Sequence, residues 1–170
     1  MKEIIRTEDI YDNFIKLRAE TVKYGDEEYI YDVLTINDGV CVLPFISEEE
    51  LVLVKHYRHA IRKIILEAVT GVIDKDETPE DAAKRELKEE TGYKAEKVEL
   101  LSVLTPYPSL SDHKMYFFRA KDLVKGKSNK EITEEIRTVK INYNKLLEEI
   151  RENKYESMVL HTALFLNQIK

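Results

Sequence analysis

Three glutamates, Glu86, Glu89 and Glu90, lie close together in a segment whose pattern predicts a helix. At about 100° per residue they share an arc of roughly 100°, on the same half of the helix as Ala82 and Ala83. Acids that face solvent would alternate with lysines four residues apart, whereas these cluster towards the body of the protein. Their mutual repulsion is costly unless a cation neutralises it. The pattern therefore predicts a bound divalent cation, and the alternative is a solvated, salt-bridged helix.

Magnesium is the cation that this donor set predicts, with manganese as a substitute. It prefers oxygen ligands and commonly joins one or two carboxylates to the phosphate groups of a substrate. Water bound to such an ion becomes a better nucleophile, and the ion offsets charge on the phosphate oxygens. Zinc is disfavoured, because the chain has a single cysteine and no Cys/His cluster at ligand spacing.

A larger pattern surrounds these acids. Its fixed positions are Gly71, Glu77, Arg85, Glu86, Leu87, Glu89, Glu90, Gly92 and Tyr93. Their spacing, G-x5-E-x7-R-E-U-x-E-E-x-G-U with U a bulky apolar residue, resembles the Nudix box. So many fixed polar and glycine positions make a specific signal. Tyr93 alone departs from the pattern, as an aromatic residue where an aliphatic one is commoner.

The resemblance implies a role for each box residue. The metal would be held by the main-chain carbonyl of Thr70 and by Glu86, Glu89 and Glu90. Arg85 would pair with Glu77 to orient the loop over the helix. Gly71 is expected to be glycine because the chain must turn sharply as it leaves a strand.

The sequence leaves two candidates for the general base, Glu89 or a loop glutamate, Glu134 or Glu135. The base must lie within hydrogen-bond distance of the attacking water, and the sequence does not determine which of them does.

Segments outside the box are similar to the ADP-ribose pyrophosphatase branch of the family. That branch has the lead-in Q-x-R … L-E-x-x-A-G, and here His56 replaces the glutamine and Thr70 the alanine. Three residues are the substrate-binding candidates: Arg58, Glu67 and Pro108. A guanidinium suits a diphosphate, although a surface arginine after a strand is the alternative for Arg58. The segment 109–113 departs from the branch, which usually has a glycine-containing loop and a glutamate there.

The resemblance therefore predicts Mg²⁺-dependent hydrolysis of a nucleoside diphosphate derivative, with ADP-ribose giving AMP and ribose 5-phosphate. The alternatives are another nucleotide sugar, an oxidised nucleotide, or a Nudix module that senses ADP-ribose without cutting it. A purely structural helical adaptor would bind no metal.

Local signals predict the elements that position these residues. Thr78 is the expected N-cap of the central helix, Pro79 its first residue, and Gly92 its end. Strands are expected around residues 14–22, 29–35, 40–46, 51–54, 64–66, 98–105, 114–120 and 138–143, with a hairpin at Tyr24-Gly25-Asp26 and a polar loop from Gly71 to Glu77. The tail from Leu146 has helical spacing that is broken near residues 153–154.

The predicted fold is mixed α/β (α+β), a Nudix-type α/β/α sandwich with a mixed sheet, preceded by a small antiparallel sheet. We divide the chain into a β-strand segment, residues 1–38, and a hydrolase domain, residues 39–170. By resemblance, the first segment helps to build a homodimer.

Composition narrows the class of protein. A chain of 170 residues with 43% hydrophobic content can bury one substantial core. The net charge of −6 argues against nucleic acid or anionic membrane as partners. The partner that the resemblance implies is a small nucleotide substrate. The N-terminus lacks the pattern of a secretory signal, and the apolar stretch 158–166 is too short to span a bilayer. One thiol fits a reducing compartment, so a cytoplasmic location is expected.

Overall fold

The structure is a computed structural model that describes residues 2–126 and 136–170. The chain divides into two compact units. One comprises Met1–Asp38 with Leu104–Met115, and the other comprises Gly39–Val103 with Tyr116–Lys170.

The first unit contains a three-stranded antiparallel sheet in the order β1-β2-β3, with β1 (Glu3–Asp12), β2 (Lys16–Tyr24) and β3 (Glu27–Thr35). The predicted hairpin is present, and Gly25 turns the chain with φ 62°. Phe14 was expected in the first strand but lies in a bend before β2. Strand β1 was missed because all its residues are exposed, so its sequence carries no burial pattern.

The segment 104–115 belongs to the same unit. The Leu34 N–H donates to the Leu110 carbonyl at 2.7 Å, and the Lys114 N–H donates to Asp38 Oδ1 at 2.7 Å. Two hydrogen bonds thus tie this segment to β3 and to the residues that follow it.

The second unit is built on a seven-stranded sheet. Its strands are β4 (Gly39–Ser47), β5 (Glu50–Arg58), β6 (Lys63–Glu67), β7 (Val69–Val72), β9 (Val98–Leu104), β10 (Met115–Ala120) and β12 (Ile136–Asn142). The order is β12-β5-β4-β10-β9, with β6 paired to β5 and β7 paired to β4. A separate short pair joins β8 (Tyr93–Lys94) and β11 (Val124–Lys125).

Among its described residues this unit also contains three helices: α1 (Pro79–Thr91), α2 (Tyr143–Arg151) and α3 (Met158–Ile169). The predicted break in the tail separates α2 from α3, where Asn153 has φ 56°. Each of these two helices has a side-chain N-cap: Asn142 accepts from Lys145 N, and Ser157 accepts from Leu160 N.

Alternation along β4 and β5 forms two apolar layers. On one face, Val40, Val42, Val52 and Val54 share a buried cluster with Ala82, Ala83 and Leu87 of α1. The residues between them, including Leu43 and Leu53, are fully buried on the other face. There α3 contacts β4, and the Phe45 ring meets Tyr143 of α2 with centroids 5.4 Å apart. Helices on both faces confirm the predicted α/β/α sandwich. In the described residues, no helix combines the length and apolar character needed to cross a bilayer.

Candidate active site

Helix α1 has the limits that its sequence predicts. Thr78 Oγ1 accepts a hydrogen bond from Asp81 N at 3.2 Å, and Pro79 is the first helical residue. Gly92 adopts the left-handed conformation with φ 75°, and its N–H bonds to the Lys88 carbonyl at 2.9 Å. The caps fix where the helix begins and ends, and the burial of Ala82, Ala83 and Leu87 against the sheet fixes which way the glutamates between them point.

We call Glu86, Glu89 and Glu90 the acidic face of α1. Glu90 is buried, with 5% of its surface exposed. The Glu86 side chain is 15% exposed, whereas that of Glu89 is 42% exposed. Glu86 and Glu90 therefore face the protein, and Glu89 lies at the edge of the acidic face.

Arg85 joins α1 to the loop before it. Its Nε and Nη2 atoms donate to the two carboxylate oxygens of Glu77 at 2.9 and 3.0 Å, and Nη2 also donates to the Val72 carbonyl at 2.9 Å. The Glu77 bond is the main cause that raises the pKa of Arg85, and the same bond lowers the pKa of Glu77. Such a two-pronged contact fixes direction as well as charge. The pairing that the resemblance implies is therefore present.

Arg85 also touches the acidic face itself. Nη1 donates to Glu86 Oε1 at 2.7 Å and to Glu89 Oε2 at 3.1 Å. The expectation that repulsion between these acids needs a bound cation was therefore incomplete. The Arg85 guanidinium already offsets part of that repulsion. Its side chain is long enough to reach both Glu86, the next residue, and Glu89, which lies four residues after Arg85 along the helix.

Gly71 has a different role from the one expected. It lies within β7, paired with Val40 of β4, and its φ is not positive, so the predicted sharp turn is wrong. The polar loop likewise begins only after Val72. A Cβ atom at position 71 would lie 1.9 Å from Glu86 Cδ and 2.0 Å from Oε1. Glycine at this position lets the Glu86 carboxylate pack directly against the backbone of the strand, and any larger residue would displace that carboxylate.

The acidic face and the neighbouring backbone of β7 offer donor atoms that suit a divalent metal. The available donors are carboxylate and carbonyl oxygens, which suit a hard cation. No three His, Cys, Asp or Glu side chains converge as a ready-made cage within residues 2–126 and 136–170. Magnesium commonly uses only one or two carboxylates together with water and substrate phosphate, so such a cage is not required.

A second group of polar contacts links Arg58 at the end of β5 to Glu67 of β6 and Thr70 of β7. Arg58 Nε donates to Glu67 Oε2 at 2.7 Å, and Nη2 reaches Thr70 Oγ1 at 3.3 Å. Glu67 is buried, whereas the Arg58 side chain is 38% exposed, so the guanidinium is held by these two contacts and part of it remains accessible. His56, two residues earlier on the same face of β5, has a lowered pKa because of burial and then the nearby charge of Arg58.

The other sequence candidates are placed as follows. Pro108 belongs to the first unit, where it borders a cavity of about 410 Å³ with Arg18, Val33 and its neighbours in the segment 105–112. Glu134 and Glu135 lie outside the described residues.

Several contacts were not predicted: Arg85 with Glu86, Glu89 and the Val72 carbonyl, and Arg58 with Glu67 and the Thr70 hydroxyl. A main-chain acceptor leaves no signal in the side chains. Thr70 does differ from the alanine usual in the branch, and that departure was the available signal.

Comparison with known proteins agrees with this geometry. The NUDIX domain model matches residues 35–160 of the chain. A methanol dehydrogenase activator of Bacillus methanolicus is 28% identical over 97% of this chain and 92% of its own length. The ADP-ribose pyrophosphatase of Bacillus subtilis is 33% identical over 57% of this chain and 52% of its length.

Two further similarities extend the comparison. The ADP-sugar pyrophosphatase of Mus musculus is 40% identical over 44% of this chain and 36% of its own length. A crystal structure of an ADP compounds hydrolase superposes with a TM-score of 0.88 over 98% of this chain and 92% of the other, at 23% identity. The superposition establishes the fold, and the domain match covers most of the sequence. The chain therefore belongs to the Nudix family and is a Nudix hydrolase.

Proposed function

We propose that this hydrolase cuts the diphosphate linkage of a nucleoside diphosphate derivative, with Mg²⁺ as cofactor and ADP-ribose as substrate. The products are then AMP and ribose 5-phosphate. The observation that carries the proposal is the set of contacts made by Arg85, which holds Glu77, Glu86 and Glu89 together beside the β7 backbone. In an ordinary solvated helix the acidic side chains point into solvent, whereas here the Glu86 carboxylate packs against Gly71 of a neighbouring strand.

The residues divide the work between them. Glu86 and Glu90, with the Thr70 carbonyl, hold the metal, and Glu89 at the edge contributes to it. When bound, the cation supplies charge neutralisation at the phosphate oxygens and a more acidic water. Arg85 acts as a positioning residue, since its guanidinium is consumed by contacts within the protein.

The proton of the attacking water needs a nearby acceptor. Glu89 is the candidate among the described residues, because its carboxylate is partly exposed while Arg85 holds one of its oxygens. Glu134 or Glu135 is the alternative. The choice depends on which carboxylate comes within hydrogen-bond distance of the water in the bound complex.

Arg58 is the proposed contact for the substrate diphosphate. Glu67 and Thr70 already hold its guanidinium in place, so the Arg58 side chain loses little conformational freedom when it binds a ligand. Pro108 is proposed to border the substrate. The names of three relatives, an ADP-ribose pyrophosphatase, an ADP-sugar pyrophosphatase and an ADP compounds hydrolase, favour an adenosine diphosphate derivative.

The decisive experiment is a product screen. The pure protein is incubated with Mg²⁺ and ADP-ribose, other nucleotide sugars, dinucleotides or nucleoside triphosphates, and products are identified by mass spectrometry. AMP with ribose 5-phosphate as the fastest products supports the proposal. Removal of the metal with EDTA should abolish turnover, and readdition of Mg²⁺ should restore it. Turnover that survives exhaustive chelation contradicts the metal mechanism. Faster cleavage of another class of compound than of ADP-ribose would identify that class as the substrate instead.

A second candidate function concerns a protein partner. The methanol dehydrogenase activator matches nearly the whole chain, whereas the pyrophosphatases match about half of it or less. This favours a hydrolase that raises the rate of a dehydrogenase. Adding the protein to methanol dehydrogenase, with Glu90→Gln as control, tests it: stimulation by wild type alone supports an activation that depends on hydrolysis.

We also propose that the protein is a cytoplasmic homodimer. The chain has a single thiol, Cys41, which is buried and has no second cysteine to pair with, as fits a reducing compartment. The dimer proposal rests on the exposed apolar residues of the three-stranded sheet and is tested below.

A further inference from the structure

A second cavity, of about 700 Å³, lies in the hydrolase unit away from the acidic face. Ile64 and Leu66 of β6 line its floor on the same face of the sheet as Lys55, and residues 153–156 between α2 and α3 form another wall. Lys55 borders it one residue before His56, so its side chain lies on the opposite face of β5 from His56 and Arg58. The cavity is therefore on the α2 and α3 side of the sheet, separate from the proposed catalytic site.

Positive charge dominates the lining. Among the described residues, four cations border the cavity, Lys55, Lys63, Arg137 and Lys154, and Glu156 supplies the one carboxylate of the lining. This excess is local, because the whole chain carries a net charge of −6. Two of the cations have acidic partners: Lys63 pairs with Glu156 at 3.3 Å, and Lys154 pairs with Glu152 at 2.7 Å.

Lys55 and Arg137 form the centre of the argument. They are direct cross-strand partners in the antiparallel β5 and β12 pair. Like charges in this arrangement destabilise a sheet. Within the part of the chain that the structure describes, neither has an ion-pair partner. An anion bound between them would convert a repulsive pair into two favourable contacts.

The remainder of the lining defines what kind of anion fits. The floor is apolar, and the half-buried Tyr155 presents an aromatic ring beside it. Tyr155 donates its hydroxyl to Glu149 at 2.6 Å, and burial, followed by that bond, raises its pKa to about 12. The ring is thus held in place as a neutral phenol, a surface suited to stacking. The volume falls in the range of about 300–1,000 Å³ that is usual for small-molecule sites.

We propose that this cavity is a second binding site for a phosphate-bearing ligand with an aromatic or apolar body, the chemical class of nucleotides. Lys55 and Arg137 bind the phosphate, and Tyr155 with the β6 floor contacts the body. The ligand binds on the sheet face opposite the catalytic residues.

The test uses the full chain without metal and ADP as the probe, followed by amide chemical shifts in NMR. ADP should shift the amides of residues 55, 63–66, 137 and 153–156, in addition to any near Arg58. The double variant Lys55→Gln with Arg137→Gln should lose about tenfold or more in affinity at these amides, because two charge-assisted contacts are removed. The same variant should be at least as stable as wild type, since it removes a like-charge pair.

A matched control removes two charges elsewhere in the same unit. Lys140→Gln with Lys145→Gln changes exposed cations that do not line the cavity, and it should bind ADP as wild type does. Equal losses in both double variants would mean general electrostatics and overturn the proposal. Shifts confined to the Arg58 region, or none, also overturn it. Shifts caused by a hexaglutamate peptide but not by ADP would show instead a surface for acidic protein segments.

Discussion

The segment from β7 through α1 differs from the sheet β1-β2-β3 in how its side chains are contacted. Those of the segment are paired or buried within the protein, whereas many of those of the sheet are exposed. In the former, Arg85 is held by carboxylate and carbonyl acceptors, while Ala82 and Leu87 are completely buried behind it. In the latter, β1 is exposed along its whole length, and Ile30 of β3 is 67% exposed. One segment completes its contacts internally, and the other leaves apolar surface in water. Such surface commonly marks an interaction site.

The largest effect should follow from changing the acidic face. Glu90→Gln retains the shape of a buried side chain but removes a charge from the proposed metal site, so kcat should fall by about 10²-fold or more. The variant should keep its fold and gain less thermal stability from added Mg²⁺ than wild type does.

A control on the same helix separates charge from position. Glu80→Gln alters an exposed glutamate that pairs with Lys84 at 2.8 Å, and it should leave both the rate and the Mg²⁺ response nearly unchanged. If Glu90→Gln behaves like this control, the acidic face is an ordinary helix surface with no role in metal binding or catalysis.

The next effect concerns the packing of Glu86 on β7. Gly71→Ala places a methyl group where the Glu86 carboxylate lies, so the carboxylate must move and the rate should fall. Because the colliding atoms are the end of a flexible side chain, the unfolding free energy should drop by only about 1 kcal/mol. The cost should shrink when Glu86→Ala is already present, because the colliding atoms are gone. Denaturant melts of the four proteins measure this. An unchanged cost in the double variant would place the strain elsewhere in β7.

The exposed sheet gives the third prediction. If a second copy of the chain covers it, Ile30→Glu should weaken the dimer by about tenfold or more, the loss of roughly 1.4 kcal/mol expected for a charge placed in an apolar contact. Ile169→Glu is the control, since Ile169 is 62% exposed at the end of α3 in the other unit. Analytical ultracentrifugation over a concentration series compares them. A monomeric wild type, or equal dissociation constants in the two variants, rules out this interface.

The smallest effect is the pH dependence of the Arg85–Glu77 contact. The bond from Arg85 lowers the pKa of Glu77 below its usual value of 4.5. The stabilisation is therefore present above pH 4.5 and is lost as pH falls through the lower value in the folded state. Wild type should exceed Glu77→Gln in thermal stability at neutral pH, and the difference should narrow in acid. A difference that stays constant down to pH 2 would mean that the carboxylate charge is not what stabilises the loop.

Local signals in the sequence were sufficient for α1 and its caps. Thr78, Pro79 and Gly92 act within one turn of the helix, so their effect does not depend on the rest of the fold. The hairpin at Gly25 was predictable for the same reason. Strand β1 was not predictable, because an exposed strand is specified by its pairing with β2 and carries no alternation of its own.

The sequence by itself determined the family pattern and the placement of the acids on one half of α1. These features follow from spacing along a single helix, whereas the pairing of Arg85 with Glu77 was predicted through the resemblance to the Nudix box. Only the tertiary structure decided why position 71 is glycine and which strand residues hold Arg58. It also brought Lys55 opposite Arg137, residues far apart in the chain. The physical reason is that contacts between strands depend on register, and register is set by the burial of whole faces, not by neighbours in sequence.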